Sequence, residues 1–366
     1  MNVPQFIPYI GIEEYESIKS CFDNKWITEG PKSKEFVERI CDIVGCKFGV
    51  LAPNGTLALY LGLVALGIKD GDEVIVPNFT FIASANSVEM AGATPVFVDV
   101  EKNTCQINIE DCYRVLTPKT KAIMPVHIFG MAANMDKVLL FAKENNLFVI
   151  EDAAQALGVE WGNKSCGNFG DIGCFSFFAD KTITIGEGGF VSTNNEDLYN
   201  NLIYLRNQGR LNRGSFCHPQ IGYNFRITDI QAAIGLSQLK KFEYICSRKL
   251  EIYNRYLSNL SKFDNIVVIP SQIKYKYIPF RTTVIFKDKK SNDIIEVFLN
   301  NNIEGRSFFY PLNRQPCYKK FQKDERYDDK YFSNSIYLYA HGICLPSFVG
   351  ISDEQIDYVC DIIGKI

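Results

Sequence analysis

A lysine stands between an apolar, aromatic segment and a cluster of glycines in the stretch FSFFADKTITIGEGGF, residues 175–190. Lys181 could be an ordinary solvent-exposed lysine in a turn, because most lysines are solvated surface charges. Held in a dry pocket, it could instead be an amine nucleophile, since desolvation lowers the pKa of an amine and favours attack on a carbonyl carbon. The glycines that follow, Gly186, Gly188 and Gly189, would let the backbone approach a flat ligand closely.

A carboxylate pair at the end of the apolar run LFVIED is a second candidate for chemistry. Glu151 and Asp152 close a predicted buried strand, and we expect Asp152 to point into the crevice beyond it. A buried carboxylate needs a positive partner, and a protonated pyridine nitrogen is such a group. Gln155, one predicted helical turn later, would lie on the same face and could hydrogen-bond a ring substituent. The alternative is that Asp152 is only the N-cap of a helix.

A third candidate is the segment PNGTLALYL, in which Asn54, Gly55 and Thr56 follow a predicted strand and open a predicted helix. Free backbone N–H groups, a hydroxyl and the positive end of the helix dipole can together bind a phosphate. The alternative is a plain helix N-cap followed by a glycine. The segment alone does not separate the two interpretations.

These candidates fall at the ends of predicted strands. From about residue 46 to residue 195, short apolar runs alternate with helical patterns at the scale of βα units. Strands that are apolar throughout and separated by helices indicate a mostly parallel sheet covered on both faces. The runs CFSFFA and GGFVSTN leave little room for a helix between them, so we expect a hairpin-like pair there. In such sheets ligands bind beyond the carboxyl ends of the strands.

The second half of the chain has a different pattern. EDLYNNLIYLRNQG and DIQAAIGLSQLKKFEYICSRKLEIYNRYLSNLS are predicted helices, the second long enough to bridge two domains. The last hundred residues mix predicted strands and helices and end in the helix SDEQIDYVCDIIGKI. We therefore predict a large α/β domain at residues 1–244, including the N-terminal segment, and a smaller α+β domain at residues 245–366.

Composition excludes several classes of protein. The chain has 366 residues, 46% of them hydrophobic and 22% charged, with a net charge of −3. This near-neutral balance gives no reason to expect nucleic acid or a membrane surface as partner. We see no signal-peptide pattern and no apolar run near the roughly 20 residues that cross a bilayer, so we expect a cytoplasmic protein. The 12 cysteines contain no C-x-x-C pair, which predicts reduced thiols and no metal site.

Six segments carry a resemblance to a known family: NGTLALYLGLVALGIKDGDEVIVPNFTFIASANSV, ATPVFVDV, KAIMPVHIFG, VIEDAAQALG, GDIGCFSFFADKTITIGEGG and GYNFRITDIQAAIGLSQL. They are similar to the DegT/DnrJ/StrS nucleotide-sugar aminotransferases, which use pyridoxal 5′-phosphate (PLP). The resemblance extends from residues 24–38 to FYPLNRQPCY at residues 309–318. It implies the α/β fold type I of PLP-dependent aminotransferases, with a mostly parallel seven-stranded sheet in the large domain and a smaller C-terminal α+β domain.

The resemblance also implies roles at matching positions. Lys181 would form the Schiff base with PLP, and Asp152 would pair with the pyridine nitrogen. Gln155 would contact the ring hydroxyl, and Phe81, in FTFIA, would stack on the ring.

Phosphate ligands follow from the same match. Gly55, Thr56 and Ser176 would bind the cofactor phosphate. Asn224, in GYNFR, would do so from the other subunit, so the resemblance implies an obligate homodimer with shared active sites. Judged on the residues alone, Asn224 would be a turn residue before the helix that starts near Thr228.

The implied reaction takes the amino group of L-glutamate, releases 2-oxoglutarate and aminates C4 of a nucleotide-linked 4-keto-6-deoxyhexose. The cofactor would pass through pyridoxamine 5′-phosphate (PMP), with the pyridinium as electron sink and Lys181 moving protons. Within the family the chain is nearest to C4 aminotransferases such as the perosamine synthases, whose products are deoxyamino sugars of the kind found in O-antigens.

The substrate contacts are less determined. Asn313, in YPLNRQP, stands where relatives often show histidine, which leaves the sugar contacts of that loop open. The candidates for the substrate side are Trp26, Thr28, Glu29, Tyr223, Arg226, His218, Tyr310 and Asn313. Structural alternatives exist for them: interface packing for Trp26 and Tyr310, a salt bridge for Arg226, and a satisfied loop residue for His218.

Four alternative functions were weighed against this interpretation. A C3-specific keto-sugar aminotransferase fits the same residues, and so the site of amination and the nucleotide base stay open. A PLP-dependent sugar 3-dehydratase would belong to a branch of the family that resembles this chain but has histidine in place of the lysine, so Lys181 argues against it. A non-catalytic PLP-binding regulator would tolerate loss of Lys181 or Asp152, and both are present. A nicotinamide oxidoreductase lacks support, because no G-x-G-x-x-G follows the first strand.

Overall fold

The computed structural model describes residues 1–210, 214, 216–270, 275–321 and 323–366. Within these residues the α-helices are α1 (Ile12–Asp23), α2 (Pro31–Val44), α3 (Gly55–Ala65), α4 (Ala83–Met90), α5 (Ile109–Val115), α6 (Met135–Glu144), α7 (Glu196–Arg206), α8 (Asp229–Lys240), α9 (Phe242–Leu260), α10 (Ser291–Asn300), α11 (Ser333–His341) and α12 (Asp353–Ile363). The strands are β1 (Phe48–Ala52), β2 (Glu73–Pro77), β3 (Thr94–Val98), β4 (Thr120–Ile123), β5 (Phe148–Asp152), β6 (Glu160–Trp161), β7 (Lys164–Ser165), β8 (Ile172–Ser176), β9 (Gly189–Thr193), β10 (Ile266–Ile269), β11 (Thr282–Phe286), β12 (Arg306–Ser307) and β13 (Gly342–Leu345).

The larger sheet has seven strands in the order β1-β9-β8-β5-β4-β2-β3. The pairs from β8 to β3 are parallel, and β9 runs antiparallel to both β1 and β8. Strand β2 is buried along its whole length, as expected for a sheet covered on both faces. The predicted seven-stranded, mostly parallel sheet is confirmed.

The predicted hairpin-like pair is also present. Strands β8 and β9 pair antiparallel, with Ser176 opposite Gly189. The connection between them, residues 177–188, carries Lys181. The lysine therefore lies on a loop that both strands hold at its two ends.

The long predicted helix across residues 229–261 is wrong as a single element. Helix α8 ends at Lys240 and α9 begins at Phe242, because Lys241 leaves the helical conformation at φ −101° and ψ 2°. Helix α8 packs against α1 and α2, whereas α9 packs against α12 and β10. The break lets each half bury its apolar face against a different layer.

A smaller, antiparallel sheet forms from the C-terminal part of the chain, in the order β10-β11-β13-β12. Its core includes Tyr253, Phe298 and Ile343, together with Val3 and Phe79 from the first part of the chain. The two layers therefore share buried surface, and the domain boundary at residue 244 stays a prediction.

No helix among the described ranges combines the length and the apolar character that crossing a bilayer requires. In the same ranges, no cluster of three or more His, Cys, Asp or Glu side chains is arranged to hold a metal ion. The cysteines are free thiols, and most of them are buried.

Candidate active site

A cavity of about 390 Å³ lies where the carboxyl ends of the parallel strands face the smaller sheet. Seven of the eight predicted cofactor residues line it: Gly55, Thr56, Phe81, Asp152, Gln155, Ser176 and Lys181. The eighth, Asn224, does not line it. The motifs of distant segments therefore meet at one edge of the sheet.

The start of α3 and the end of β8 form one corner of the cavity. Asn54 caps the helix, accepting a hydrogen bond from the Leu57 amide at 2.9 Å. A Cβ added to Gly55 would lie only 2.8 Å from the Cβ of Ser176, so the glycine permits this approach. Helix N–H groups, the Thr56 hydroxyl and the Ser176 hydroxyl meet there, which suits a phosphate. Asn54 therefore caps the helix, while Gly55 and Thr56 of the same motif face the proposed phosphate position. The two interpretations are compatible.

Glu151 and Asp152 point to opposite sides of β5, as the alternation of a strand requires. Glu151 is fully buried and away from the cavity. Its carboxylate accepts hydrogen bonds from N–H donors of His127, Gly167, Phe169 and Gly170. The Ala133 amide donates to Nδ1 of His127, so the hydrogen of this imidazole is on Nε2 and points at Glu151. Glu151 is therefore saturated by structural bonds.

Asp152 lines the cavity and is 5% exposed. Its Oδ2 accepts from the Ser84 hydroxyl at 2.7 Å and its Oδ1 from the Ala154 amide at 3.1 Å. Burial raises the pKa of Asp152, and these hydrogen bonds and the charge of Lys181 offset this only in part. The ionised carboxylate therefore gains from a cation in the cavity, as a protonated pyridine nitrogen would provide.

The helix expected after Asp152 does not form. Residues 153–158 make turns instead, and the bond from Ala154 to Asp152 belongs to such a turn. The helix N-cap alternative for Asp152 is thus wrong, and Gln155 reaches the cavity through a turn. The Phe129 amide donates to Oε1 of Gln155 at 2.7 Å, which leaves the amide nitrogen of Gln155 as a donor for a ligand.

Lys181 is largely shielded from water, with its side chain 15% exposed. Its Nζ lies 3.9 Å from Oδ1 of Asp180 and 4.6 Å from the ring centroid of Phe280. Burial lowers the pKa of the Lys181 amine, Asp180 and Asp152 oppose this shift, and Arg281 and Arg306 add to it. The structure therefore gives the lysine the dry setting that an amine nucleophile needs.

Phe81 presents an aromatic face at the cavity, although its ring is 58% exposed. Its nearest ring is Phe309, at 6.3 Å between centroids and an interplanar angle of 65°. An exposed aromatic side chain beside a cavity can be covered by a flat ligand.

The sequence analysis missed two arginines that the smaller sheet brings to the cavity. Arg281 is 6% exposed and donates to Oδ2 of Asp180 at 2.5 Å. Arg306, at the start of β12, is exposed toward the same space. A charged residue inside the otherwise uncharged run YIPFRTTVIF was the available signal for Arg281. Its position beside Lys181 depends on contacts between segments that are far apart in the sequence.

None of the eight predicted substrate residues lines the cavity of this chain. Asn313 is 3% exposed and its amide bonds to Asn78, Tyr327 and Asp329. These bonds saturate the Asn313 side chain, so its structural interpretation is favoured.

Other substrate candidates are also engaged within the chain. Glu29 forms an ion pair with Arg206 at 2.5 Å. The Tyr223 hydroxyl lies 2.7 Å from that of Tyr60. Tyr310 packs edge-on against Tyr339, with centroids 5.0 Å apart.

Asn224 and its neighbours lie on a separate surface. Asn224 accepts a hydrogen bond from Nε of Arg226 at 2.8 Å, and Nδ1 of His218 lies 2.6 Å from the Gln208 carbonyl. Asn224, His218 and Gln208 line a shallow depression there.

The last two candidates lie near the start of the chain. Trp26 is 47% exposed. The Thr28 carbonyl accepts a hydrogen bond from the Asp229 amide at 3.2 Å.

Comparisons with known proteins agree with this geometry. The profile of the DegT/DnrJ/EryC1/StrS aminotransferase family matches residues 8–364. The GDP-perosamine synthase of Escherichia coli O157:H7 is 38% identical over 366 residues, covering 99% of this chain and 98% of that protein. The GDP-perosamine synthase of Vibrio cholerae is 36% identical over 367 residues, covering 99% and 98%.

A solved structure supports the same assignment. A Streptococcus pneumoniae protein in its PMP form matches with a TM-score of 0.92 at 27% identity, covering 99% of this chain and 96% of that one. The same protein has been solved in a PLP form. The chain belongs to the DegT/DnrJ/EryC1/StrS aminotransferase family. It is a transaminase with PLP as cofactor, which confirms the predicted family, fold, enzyme class and cofactor.

The residues present fit this cofactor. The close approach at Gly55 brings together groups that can bind a phosphate. The pKa of Asp152 is raised by burial, so a cation beside it would stabilise its ionised form. The ring of Phe81 is exposed and can pack against a flat ligand. Lys181 lines the same cavity as all three.

Proposed function

We propose that the protein transfers the amino group of L-glutamate to C4 of a nucleotide-linked 4-keto-6-deoxyhexose, giving a perosamine- or viosamine-type sugar for O-antigen synthesis. The observation that carries the proposal is that Lys181 and Asp152 line one cavity together with Gly55, where we propose that the phosphate binds. The two GDP-perosamine synthases, similar over nearly their whole length, support the sugar substrate. They make a GDP-linked sugar the first one to test.

Each residue has a stated task in this proposal. Bound PLP supplies an aldehyde that exchanges amines and a ring that withdraws electrons. Asp152 holds a proton on the ring nitrogen by its negative charge. Nζ of Lys181, favoured in its neutral form by burial, takes the proton from the α-carbon of glutamate. In the second half of the reaction, it delivers a proton to C4 of the sugar.

Binding and orientation come from the rest of the cavity. The amides at the start of α3 and the hydroxyls of Thr56 and Ser176 anchor the phosphate, and Gln155 donates to the ring substituent. Phe81 covers one face of the ring. Together these contacts exclude water from the space in front of Lys181.

We also propose a homodimer with shared sites. Asn224 does not line the cavity of its own chain, as expected of a residue supplied to a partner. The surface beside it exposes Phe216 at 89% and Ile221 at 86%, and the N-terminal segment exposes Trp26 and Ile27. Exposed apolar side chains that are grouped on one surface are typical of a protein–protein contact. We place the enzyme in the cytoplasm, where free thiols persist.

The experiment starts with cofactor chemistry. Purified protein with PLP is expected to be yellow, and borohydride is expected to add the cofactor mass to the peptide that contains Lys181. Glutamate is expected to bleach the colour. A protein that no added PLP can tint would overturn the proposed role of Lys181.

A substrate panel tests the sugar assignment. GDP-, dTDP-, UDP- and CDP-linked 4-keto-6-deoxyhexoses are supplied with glutamate, beside 3-keto isomers as the matched comparison. Amination of a 4-keto sugar is expected. Turnover of the 3-keto isomers alone would move the reaction to C3, and turnover of none would overturn the sugar assignment.

A further inference from the structure

We propose that the Asp180 carboxylate is a positioning residue for the Lys181 amine: when that amine carries no covalent partner, a shift of about 1 Å lets it donate a hydrogen bond to Asp180. The inference rests on the proposed role of Lys181, and it names the residue that holds the Lys181 amine when the amine carries no covalent partner. It assigns a task to a residue that the sequence analysis did not single out.

The first support is the geometry of the Asp180 carboxylate. Its Oδ2 receives the Arg281 guanidinium at 2.5 Å; the Arg281 side chain is 7% exposed and the Asp180 side chain 14%. This ion pair fixes the orientation of the carboxylate. Its other oxygen, Oδ1, is therefore held in place without contributing to the pair.

The second support is that Oδ1 lacks a donor. This atom is buried, and no hydrogen-bond partner reaches it among the described residues. A buried acceptor without a donor costs free energy, so such an atom is expected to gain a partner in some state of the protein. Nζ of Lys181 lies 3.9 Å away, and a shift of about 1 Å would make the bond.

The third support is the distribution of charge around Lys181. Arg281 and Arg306 line the same cavity, and Lys249 lies behind, with its Nζ donating to the Phe280 carbonyl at 3.2 Å. The carboxylates that act on Lys181 are Asp180 and Asp152. The exposed Glu187 lies at the cavity wall.

Asp152 is committed to the ring nitrogen when the cofactor is bound. Of the two carboxylates that act on Lys181, Asp180 then remains to balance the charges of Arg281 and Arg306. It holds the released amine close to the reacting atoms and counteracts the cations, which favour the neutral amine. Removing its charge would therefore leave the amine more often neutral and less restrained.

The test uses the apoprotein, so that it does not depend on turnover. An amine-reactive acylating reagent labels Lys181 across a range of pH, and mass spectrometry measures the rate on its peptide. Asp180→Asn keeps the size of the side chain and removes the charge. We expect labelling at pH 7 to accelerate on the order of tenfold, with the pH profile displaced to lower pH.

Glu187→Gln is the matched control, since it removes a carboxylate from the same cavity wall and is expected to leave the profile in place. An unchanged or slower rate in Asp180→Asn would overturn the proposal, and so would an equal acceleration in Glu187→Gln. A rate multiplied by the same factor at every pH would also overturn it, because that result reports access to the reagent.

Asp180→Asn leaves the buried Arg281 without its carboxylate and can impair folding. The comparison is therefore repeated between Arg281→Gln and the double variant Arg281→Gln/Asp180→Asn. A smaller acceleration is expected there, because Arg281 no longer orients Asp180, and equal rates would overturn the proposal. Borohydride trapping of PLP on Lys181 in the wild-type protein tests the proposed function separately. A trapped cofactor with unchanged labelling in Asp180→Asn would reject the role of Asp180 alone.

Discussion

The first residue of α3 and the last residue of β8 approach so closely that a Cβ on Gly55 would lie 2.8 Å from the Cβ of Ser176. The contact joins the helix N-terminus to the strand that leads into the Lys181 loop. Both sides of the contact carry groups that we propose as phosphate ligands. The distance between this proposed phosphate site and Lys181 therefore depends on one contact that requires a glycine.

Gly55→Ala is expected to weaken PLP binding by about tenfold or more, because the added methyl group forces α3 and β8 apart. Titration of the apoprotein with PLP, followed by absorbance, measures the effect. Gly350→Ala is the control, since the nearest atoms to its new Cβ lie at 3.9 Å. Equal PLP affinity in the wild-type protein and Gly55→Ala would contradict the phosphate assignment.

Asp152→Asn is expected to lower kcat by about 100-fold or more, because the ring nitrogen loses the charge that keeps it protonated. Rates with saturating glutamate and sugar measure the loss. The residual PLP content after dialysis shows whether the cofactor is still bound. Retention of more than about half the wild-type rate would contradict the assigned role.

In the apoprotein, Asp152→Asn is expected to be favourable, because it should raise the stability of the fold. The pKa of Asp152 is raised in the fold by burial. Because the carboxyl group has a higher pKa in the folded state than in the unfolded state, its contribution to the free energy of unfolding is fully present below the unfolded-state pKa. That contribution is lost as the pH rises through the folded-state pKa. Apo Asp152→Asn should therefore gain stability over wild type at pH 7, on the order of 2 °C in Tm, and none at pH 3. Thermal unfolding at both pH values measures this, and a lower Tm at pH 7 would contradict it.

Lys181→Ala is expected to abolish transamination and to leave a folded dimer, because the side chain projects into a cavity. Asn224→Ala should lose activity in the same oligomeric state. Mixed dimers of the two variants should recover activity, since one of their two sites combines an intact Lys181 with an intact Asn224. Activity after refolding the variants together, against each refolded alone, measures the recovery. Mixed dimers that stay inactive would contradict shared sites.

Asn313→Ala is expected to destabilise the protein by about 1–3 kcal/mol, because it leaves the buried Asn78 amide and Tyr327 carbonyl without their hydrogen bonds. Denaturant unfolding measures the loss, with the exposed Asn292→Ala as the control. The KM for the sugar should stay within about twofold of wild type. Full stability with a raised KM would restore Asn313 as a substrate contact.

Several features were predictable from the sequence because they depend on residues close together in the chain. The β8–β9 pair follows from two apolar runs too close for a helix, and the N-cap at Asn54 follows from one motif. Other local predictions failed. The polar bonds of Asp152 favour turns where a helix was expected, and packing against two layers breaks the helix at Lys241.

From the sequence we could predict the strands of the large sheet, most of the helices, the family, and the chemical groups at the strand ends. These properties follow from hydrophobic patterning and from motifs that occupy consecutive positions. The three-dimensional arrangement was needed to see which charges face Lys181, that Asn313 is buried, and that Arg281 fixes Asp180, a residue 101 positions away. Burial and distance between remote segments set the strength of electrostatic interactions, and neither is encoded in local spacing.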